Sequence, residues 1–439
     1  MKVLFATVPA DGHFNPLTAV ALDLQQNGHD VRWYAGPLYQ SKLGTLGIPS
    51  VPYDRATEIT GENIHDLYPE RAKLKGPKRI SFDGEKLFIA NVENHLRDIV
   101  DIRSGFEFDI FMCDAGLYVQ KLVAERLGVP VYSFAPGPLM ANAELPPPFF
   151  GLRPPRTVVG SAVHRVVRAM VHSTLKRGAR TYNDVLAAEG IAPIPIQRFL
   201  DVATGCARRQ FLVGAPGLEF PQLRLPPNAE FVGPLLPARR AIGADMPLPE
   251  VVRDPEARVV AVSQGTVDNA DPTKLIIPAL EALSILPYVV VVTTGGKNTD
   301  ELRERFARPN VVIEDSINYD DLFGHVDVFV TNGGFGSVLS ALSHAVPVVT
   351  AGTREGKNDI NARVAYNGLG VDLRTERPTP RQIADGVRRV LSDEAIAGNV
   401  RQVRAELDSY NPLTIIRRRL AEDAGWPHNG DGADVVPGL

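Results

Sequence analysis

A histidine near the N-terminus lies where its side chain could act as a general base. His13 lies in the stretch 10–16 (ADGHFNP), between a predicted strand at residues 3–8 and a predicted helix at residues 15–27. Such a strand end belongs to the usual ligand-binding edge of an open α/β sheet. Nearness to a helix N-terminus disfavours the imidazolium and leaves a neutral ring that can accept a proton. The alternative is a capping or core histidine without a catalytic role.

An aspartate follows a second predicted strand and is the candidate partner of this histidine. Asp114 comes directly after the apolar stretch 108–113 (FDIFMC), whose carboxyl end is predicted to reach the same edge of the sheet. A carboxylate there could hold one nitrogen of the His13 ring and stabilise the proton that the ring takes up. The alternative is an N-cap for the helix predicted at residues 119–127. The sequence leaves open whether the two side chains touch.

A glycine-rich turn late in the chain has the form of an anion site. Residues 326–330 are an apolar run of strand length, residues 331–337 read TNGGFGS, and apolar residues then recur at helical spacing over 338–345. A strand, a glycine turn and a helix in this order direct backbone N–H groups and a positive helix end at one spot, which suits a phosphate. No lysine follows the glycines, and the spacing differs from that of a dinucleotide fingerprint. A tight turn without a ligand is the alternative.

A similar strand-to-turn element occurs earlier in the same half of the chain. Ser263-Gln-Gly-Thr266 follows the predicted strand 259–263. Its hydroxyl and N–H groups could meet the other side of a diphosphate.

The two halves of the chain alternate strand and helix, which predicts parallel sheets covered by helices on both faces. With 439 residues, two domains are expected, and two similar α/β halves imply a cleft between them. The predicted strands of the two halves are 3–8, 31–35, 108–113 and 129–134, then 259–263, 288–293, 311–313, 326–330 and 346–349. The predicted helices of the second half are 275–284, 300–306, 335–345, 362–366, 380–391 and 399–420.

A Pro/Gly-rich stretch separates the halves. The predicted division is an N-terminal domain at 1–232, a linker at 233–250, a C-terminal domain at 251–424 and a mobile tail at 425–439. Within the first domain, residues 54–86 are predicted as a long loop with a short helix. The proline-rich stretch 144–155 cannot be a regular helix interior, and residues 158–175 are apolar around much of a helix.

Composition limits the class of protein. Hydrophobic residues make up 44% of the chain and charged residues 22%, as in soluble globular proteins. A net charge of −4 gives no argument for binding nucleic acid or an anionic membrane. Two cysteines cannot build a disulfide framework, which fits a reducing, cytoplasmic compartment. There is no run of 18 apolar residues, which predicts no membrane-spanning helix, and no cluster has metal-ligand spacing.

Four motifs occur in an order that resembles a known superfamily. They are Gly12-His13-x-x-Pro16, Val232-Gly233-Pro234, Ser263-x-Gly-Thr266 and Asn332-Gly-Gly-Phe-Gly-Ser337. The chain resembles the GT-B glycosyltransferases of the UDP-glycosyltransferase superfamily, close to the bacterial enzymes that glycosylate macrolides and other natural products. The resemblance implies two Rossmann-like domains facing a cleft, with a C-terminal helix that packs back toward the N-terminal domain.

The same resemblance implies an inverting, metal-independent hexosyltransferase. It would move a sugar, with glucose the first choice, from a UDP- or dTDP-sugar to a hydroxyl of an apolar small molecule bound near residues 145–175. His13 would be the general base and Asp114 its partner, no cofactor beyond the co-substrate is implied, and a homodimer is allowed. Donor-binding residues by resemblance are Ser263, Gly265, Thr266, Ile317 through its backbone, Asn332, Gly333, Gly334, Gly336, Ser337, Glu355, Lys357 and Asn358.

The chain departs from the superfamily at two places. The phosphate loop usually begins with histidine, and here it begins with Asn332. The Asp/Glu-Gln pair that reads the sugar is absent from residues 352–363. Anchoring on Asn361-Ala362 places Lys357-Asn358 at that pair, whereas anchoring on Arg363-Val364 places Gly356-Lys357 there. A subgroup of bacterial relatives carries both the Asn and a Glu-x-Lys, as Glu355 and Lys357 do here.

Three other functions remain open. A sugar-nucleotide epimerase of the same fold would need several acid/base carboxylates in the cleft, and the Gly-His-x-x-Pro motif argues against it. A non-catalytic accessory protein is disfavoured because His13 and Asp114 are both present, although Asn332 argues faintly for it. An NAD-dependent oxidoreductase is disfavoured because no Gly-x-Gly-x-x-Gly follows the first strand.

Overall fold

The computed structural model describes residues 1–61, 63–140, 144–237, 248–265 and 269–424. Residues 238–247 of the predicted linker, Thr266 and the predicted tail 425–439 lie outside the described residues. Two parallel sheets, each with helices on both sides, account for the described part of the chain. The prediction of two Rossmann-like domains is confirmed.

The first sheet contains seven strands among the described residues, in the order β3-β2-β1-β4-β5-β6-β7. They are β1 (Lys2–Ala6), β2 (Asp30–Ala35), β3 (Ser50–Pro52), β4 (Ile110–Asp114), β5 (Val131–Ala135), β6 (Arg209–Val213) and β7 (Ala229–Gly233). The central strands β4 and β5 are buried at every position because helices cover both faces, which explains their unbroken apolar runs.

The helices of this half include more of the chain than the sequence predicted. They are α1 (Asp11–Gln26), α2 (Pro37–Leu46), α3 (Ile64–Leu67), α4 (Gly76–Lys86), α5 (Val92–Gly105), α6 (Gln120–Arg126), α7 (Val158–Ala188) and α8 (Val202–Cys206). Short 3₁₀ helices lie at Pro69–Lys73, Ile196–Asp201 and Pro216–Leu218. The prediction of one short helix within 54–86 was wrong, because α4 packs against α7 and gains its stability from that tertiary contact.

The second sheet has the order β10-β9-β8-β11-β12-β13 within the described residues. Its strands are β8 (Val259–Ser263), β9 (Val289–Thr293), β10 (Val311–Glu314), β11 (Val328–Thr331), β12 (Val348–Thr350) and β13 (Gly370–Asp372). Its helices are α9 (Glu250–Arg253), α10 (Ile276–Leu283), α11 (Thr299–Arg305), α12 (Tyr319–Phe323), α13 (Phe335–Ser343), α14 (Lys357–Tyr366), α15 (Pro380–Ser392), α16 (Glu394–Asp408) and α17 (Pro412–Ala424).

Two helix predictions in this half need correction. The helix predicted at 399–420 is two helices, α16 and α17, because the chain turns before Pro412 and proline cannot continue a helix from the preceding turn. The helix predicted at 362–366 begins at Lys357. Lys357 and Asn358 therefore lie in the first turn of α14 and not in a loop.

The last helix returns to the first sheet. Ile416 and Leu420 of α17 are buried, and Arg419 Nε donates to Glu230 Oε1 of β7 at 2.8 Å. Asp423 Oδ2 accepts from Arg209 Nε of β6 at 2.7 Å. The implied packing of the C-terminal helix onto the N-terminal domain is confirmed.

Candidate active site

The structure brings His13 and Asp114 together. His13 lies in the first turn of α1, and Asp114 is the last residue of β4, the strand that pairs with β1. The His13 Nδ1 atom is 3.0 Å from Asp114 Oδ1. A carboxylate at Nδ1 favours the tautomer that carries its proton there, so we assign the Nε2 lone pair as the free proton acceptor.

Backbone groups fix the carboxylate of Asp114 in place. Asp114 is fully buried, its Oδ2 atom accepts from Val8 N at 2.6 Å, and Oδ1 also accepts from Gly116 N at 2.7 Å. A Cβ atom on Gly116 would lie 2.9 Å from Asp114 Oδ1 and 3.7 Å from the His13 ring. A side chain at position 116 would therefore crowd the Asp114 carboxylate, which explains the glycine there. The His13 side chain, in contrast, keeps 36% of its surface exposed, where a reactant could approach.

The glycine-rich turn forms the N-terminus of α13. Gly334 is the N-cap, and the first intrahelical bond runs from Val338 N to Gly334 O. The N–H groups of Phe335, Gly336 and Ser337 precede that bond, so the helix geometry leaves them without intrahelical acceptors. Gly333 has φ +86°, a left-handed conformation that favours glycine. The strand, glycine turn and helix that the sequence predicted are thus present, with three backbone N–H groups at the start of the helix.

The second predicted element lies beside the first. Strands β8 and β11 are neighbours, and Ser263 is paired in register with Thr331. Asn332 Nδ2 donates to Gln264 O, and Asn332 Oδ1 accepts from Gly334 N at 3.3 Å. This hydrogen bond from the Asn332 amide connects the glycine-rich turn to the turn after β8. It places Gly265 next to Asn332. Ile317, which the resemblance gave a backbone role, lies between β10 and α12 and packs against the core.

The three polar residues predicted to face the donor lie around the start of α14. Glu355 and Gly356 have φ +56° and +78°, and Gly356 is the N-cap. Lys357 Nζ donates to Glu355 Oε2 at 2.8 Å, and its side chain is only 10% exposed. Asn358 Nδ2 donates to Phe149 O of the first domain at 2.6 Å. Lys357 is therefore not a solvated surface lysine.

The carboxyl edges of the two sheets approach one another. A Cβ atom on Gly214, after β6, would be 3.4 Å from the Phe335 ring at the start of α13. A Cβ atom on Gly356 would be 3.5 Å from Met140, which follows β5. These contacts place the His13–Asp114 edge and the glycine turn on the two sides of one cleft.

Two residues at this cleft were missed in the sequence. Asn361 is fully buried, its Nδ2 atom donates to Gly352 O at 2.9 Å, and its Oδ1 atom would lie 1.9 Å from a Cβ atom on Gly333. Asp359 accepts hydrogen bonds from the first domain. In the sequence, Asn361 was used only to align residues 352–363 with the superfamily. The residues around Asp359 carry no signal for hydrogen-bond partners that lie more than 200 positions earlier.

The described part of the chain offers no cluster of three or more His, Cys, Asp or Glu side chains that could hold a metal ion. None of its helices is long and apolar enough to cross a membrane.

Comparison with known proteins gives the family. Residues 279–421 match the family described as "Erythromycin biosynthesis protein CIII-like, C-terminal domain". The chain is 32% identical over 409 residues to the 4'-demethylrebeccamycin synthase of Lentzea aerocolonigenes, a match that covers 92% of this chain and 95% of the relative. It is 34% identical over 439 residues to the UDP-glucosyltransferase avaP of Aspergillus versicolor, with 94% and 95% covered.

Solved structures agree on the fold. CalG4, the calicheamicin glycosyltransferase, superposes with a TM-score of 0.76 at 20% identity, covering 97% of this chain and 98% of that one. The glycosyltransferase of kitacinnamycin gives 0.73 at 22% identity, with 96% and 98% covered. The chain belongs to the UDP-glycosyltransferase superfamily and has the GT-B fold. It is a glycosyltransferase of the hexosyltransferase class.

Proposed function

We propose that this enzyme moves a sugar, with glucose the first choice, from a UDP- or dTDP-sugar to a hydroxyl of an apolar natural product, with inversion at the anomeric carbon. The observation that supports this most is the His13–Asp114 contact at 3.0 Å, which leaves Nε2 open at the cleft. The names of relatives favour the substrates: one is a rebeccamycin synthase and several are UDP-glucosyltransferases.

The proposed reaction begins at the acceptor. His13 Nε2 takes the hydroxyl proton while the acceptor oxygen attacks the anomeric carbon from the face opposite the nucleotide. The new C–O bond forms as the bond from that carbon to the diphosphate oxygen breaks, and the diphosphate leaves with the electron pair. Asp114 stabilises the imidazolium, and the α13 N-terminus stabilises the charge of the leaving group.

The same proposal divides the chain by role. Residues 1–232 would bind the acceptor and residues 251–424 the donor. The diphosphate would lie on Ser263, Gly265, Gly333, Gly334, Gly336 and Ser337, with the Ile317 backbone holding the base.

A donor panel tests the proposal. The full chain is mixed with UDP-glucose, other UDP-sugars and dTDP-sugars and a set of apolar hydroxylated acceptors, and release of UDP or dTDP is measured. Acceptor-dependent release supports glycosyl transfer. Conversion of the sugar nucleotide without an acceptor would instead indicate an epimerase, and donor binding without turnover an accessory protein.

Replacing Asp114 by asparagine should reduce kcat, but less than loss of the His13 ring does. The amide keeps the shape of the side chain but removes the charge that stabilises the imidazolium. The amide N–H group of the new side chain would also face Val8 N or Gly116 N. Both of these are donors, so one of them would lose its acceptor. Steady-state kinetics check this, and equal kcat in Asp114→Asn and the parent would remove Asp114 from the mechanism.

Chelation should leave activity unchanged. On this proposal the N–H groups at the start of α13 bear the charge of the leaving diphosphate without an ion. Initial rates are compared before and after dialysis against EDTA. Loss of activity that magnesium restores would contradict metal-independent transfer.

Lys357 should partly compensate for the missing histidine at position 332. An Asn amide is neutral, and charge-assisted hydrogen bonds are roughly twice as strong as neutral ones. The Lys357 side chain lies beside this loop, because a Cβ atom on Gly352 would be 2.2 Å from Asn332 O and 3.3 Å from Lys357 Cδ. Lys357→Ala should weaken UDP-sugar binding at least about tenfold, since a hydrogen bond to a charged group contributes about 1.5–3 kcal/mol.

Three proteins test whether Lys357 compensates for the missing histidine or has only a structural role. They are the parent, Lys357→Ala, and Lys357→Ala combined with Asn332→His, and titration calorimetry with UDP is the measurement. The added histidine should recover part of the loss. Parent-like binding by Lys357→Ala would show that the loop N–H groups suffice.

A further inference from the structure

The proline-rich loop, residues 144–155, directs two backbone N–H groups at one carboxylate of the other domain. Phe149 N donates to Asp359 Oδ2 at 2.6 Å, and Gly151 N donates to Asp359 Oδ1 at 2.9 Å. Phe149 has φ +75°, a value that non-glycine residues seldom adopt, and Gly151 has φ +59°. The loop therefore adopts a strained shape at the point where it binds both oxygens of Asp359.

The side chain of Asn358 adds a hydrogen bond to this contact, with the donor in α14 and the acceptor in the loop. Asn358 Nδ2 donates to Phe149 O at 2.6 Å, and Asn358 Oδ1 accepts from Asp359 N at 3.0 Å. A Cβ atom on Gly151 would lie 3.0 Å from Asn358 O and 3.1 Å from Asn358 Cβ. The loop backbone thus lies directly against the first turn of α14, and glycine is needed at 151 for both its φ and its close approach.

The carboxylate of Asp359 is deeply buried. The residue is 7% exposed, and burial raises the pKa of Asp359, while the N–H groups of Phe149 and Gly151 and the charge of Arg363 act to lower it. A buried carboxylate without partners is costly, so the contact stabilises Asp359 as much as it stabilises the loop. Loss of the loop N–H groups would therefore leave a buried carboxylate with fewer partners.

The same helix also contacts the phosphate loop. Asn361, two residues after Asp359, lies against Gly333, whose Cβ position falls 1.9 Å from Asn361 Oδ1. Its other amide atom holds Gly352 O at 2.9 Å. The start of α14 therefore contacts the predicted diphosphate site on one side and the proline-rich loop of the first domain on the other.

We propose that Asp359 is a positioning residue for the acceptor: it holds the proline-rich loop in the strained shape that borders the acceptor site and ties that shape to the donor-binding helix. This inference rests on the proposed function and on the expectation from the resemblance that the acceptor is bound near residues 145–175. Asp359 touches neither reacting group. Its loss should therefore change acceptor recognition and leave donor binding nearly unchanged.

Hydrogen–deuterium exchange of the 439-residue chain tests the contact without donor or acceptor. The variants are Asp359→Asn and Asp359→Ala, because the asparagine turns an N–H group toward a loop donor while keeping the side-chain size. Exchange at Phe149 and Gly151 should accelerate at least about tenfold in both. The matched control is Glu230→Gln, which weakens another contact between the domains, Arg419 Nε to Glu230 Oε1 at 2.8 Å, and should leave exchange of the loop within about twofold of the parent.

Steady-state kinetics with an acceptor from the donor panel then separate positioning from a general loss of structure. Asp359→Asn should raise KM for the acceptor about tenfold while KM for the UDP-sugar stays within about twofold. Unchanged loop exchange in both variants would overturn the proposal. So would faster exchange with an unchanged acceptor KM, or an equal rise of both KM values. If no donor is turned over by the parent, the proposed function fails, and the exchange result still shows whether Asp359 holds the loop.

Discussion

Replacement of His13 by alanine is expected to lower kcat by roughly 10²–10⁴-fold, because general-base catalysis contributes about that much. The ring is the group whose Nε2 atom is free at the cleft while Nδ1 is held by Asp114 at 3.0 Å. UDP affinity should stay within about twofold of the parent, since His13 belongs to the first domain and the predicted diphosphate site to the second. Initial rates and UDP titration are the two measurements.

The chain offers a histidine control for this experiment. His29 directly precedes β2, so it lies at the amino-terminal ends of the strands, away from the carboxyl ends near His13. Its Nδ1 atom is 3.2 Å from the N-terminal amine. His29→Ala should keep kcat within about twofold. A His13→Ala enzyme that turned over like His29→Ala would remove His13 from the mechanism.

The second large effect is expected from Gly333→Ala. The new Cβ atom would lie 1.9 Å from the buried Asn361 Oδ1, and the residue has φ +86°. The left-handed conformation costs a non-glycine residue about 1–2 kcal/mol, and displacing Asn361 endangers its bond to Gly352 O, which adds about 1–3 kcal/mol. The free energy of unfolding of the second domain should therefore fall by about 2–5 kcal/mol, and UDP binding should be lost at the same time.

Gly336→Ala is the matched control in the same turn. No heavy atom lies within 4 Å of the Cβ position of Gly336, which is in the first turn of α13. Its stability should be equal to or above that of the parent, because alanine is favoured over glycine in a helix by about 0.5–1 kcal/mol. Its UDP affinity should fall, since the open space is where the proposal places the diphosphate. Thermal melts and UDP titration of both variants check this, and a Gly333→Ala protein with parent-like melting and binding would contradict the account of the loop.

The sequence could predict which residues lie at strand ends, but not which strands are neighbours. His13 and Asp114 are 101 positions apart, and they meet because β4 pairs directly with β1. That strand order depends on tertiary packing, which alternation of strand and helix does not specify. Strand β7 was not predicted at all. Its first three residues are only partly buried, so its sequence lacks the unbroken apolar run of a central strand.

The polar residues of the cleft show a second limit. Asn332 was predicted to donate to a diphosphate, yet one of its amide N–H groups bonds Gln264 O and joins two turns. Asp359 was given no role on the basis of the sequence, but its side chain accepts hydrogen bonds from Phe149 and Gly151 of the other domain. Side chains that join distant segments have no local spacing that would reveal them, whereas the glycine turn could be read because its strand, turn and helix are contiguous.

The measurement that tests the central claim most directly is the anomeric configuration of the product. The 439-residue enzyme is incubated with UDP-glucose, an α-linked donor, and an apolar hydroxylated acceptor from the panel, and the purified product is examined by proton NMR. The account predicts a β-glucoside formed in equal amount to the UDP released, because a base on one side of the sugar and a diphosphate held on the other require in-line displacement. An α-glucoside, or release of UDP that does not depend on the acceptor, would contradict it.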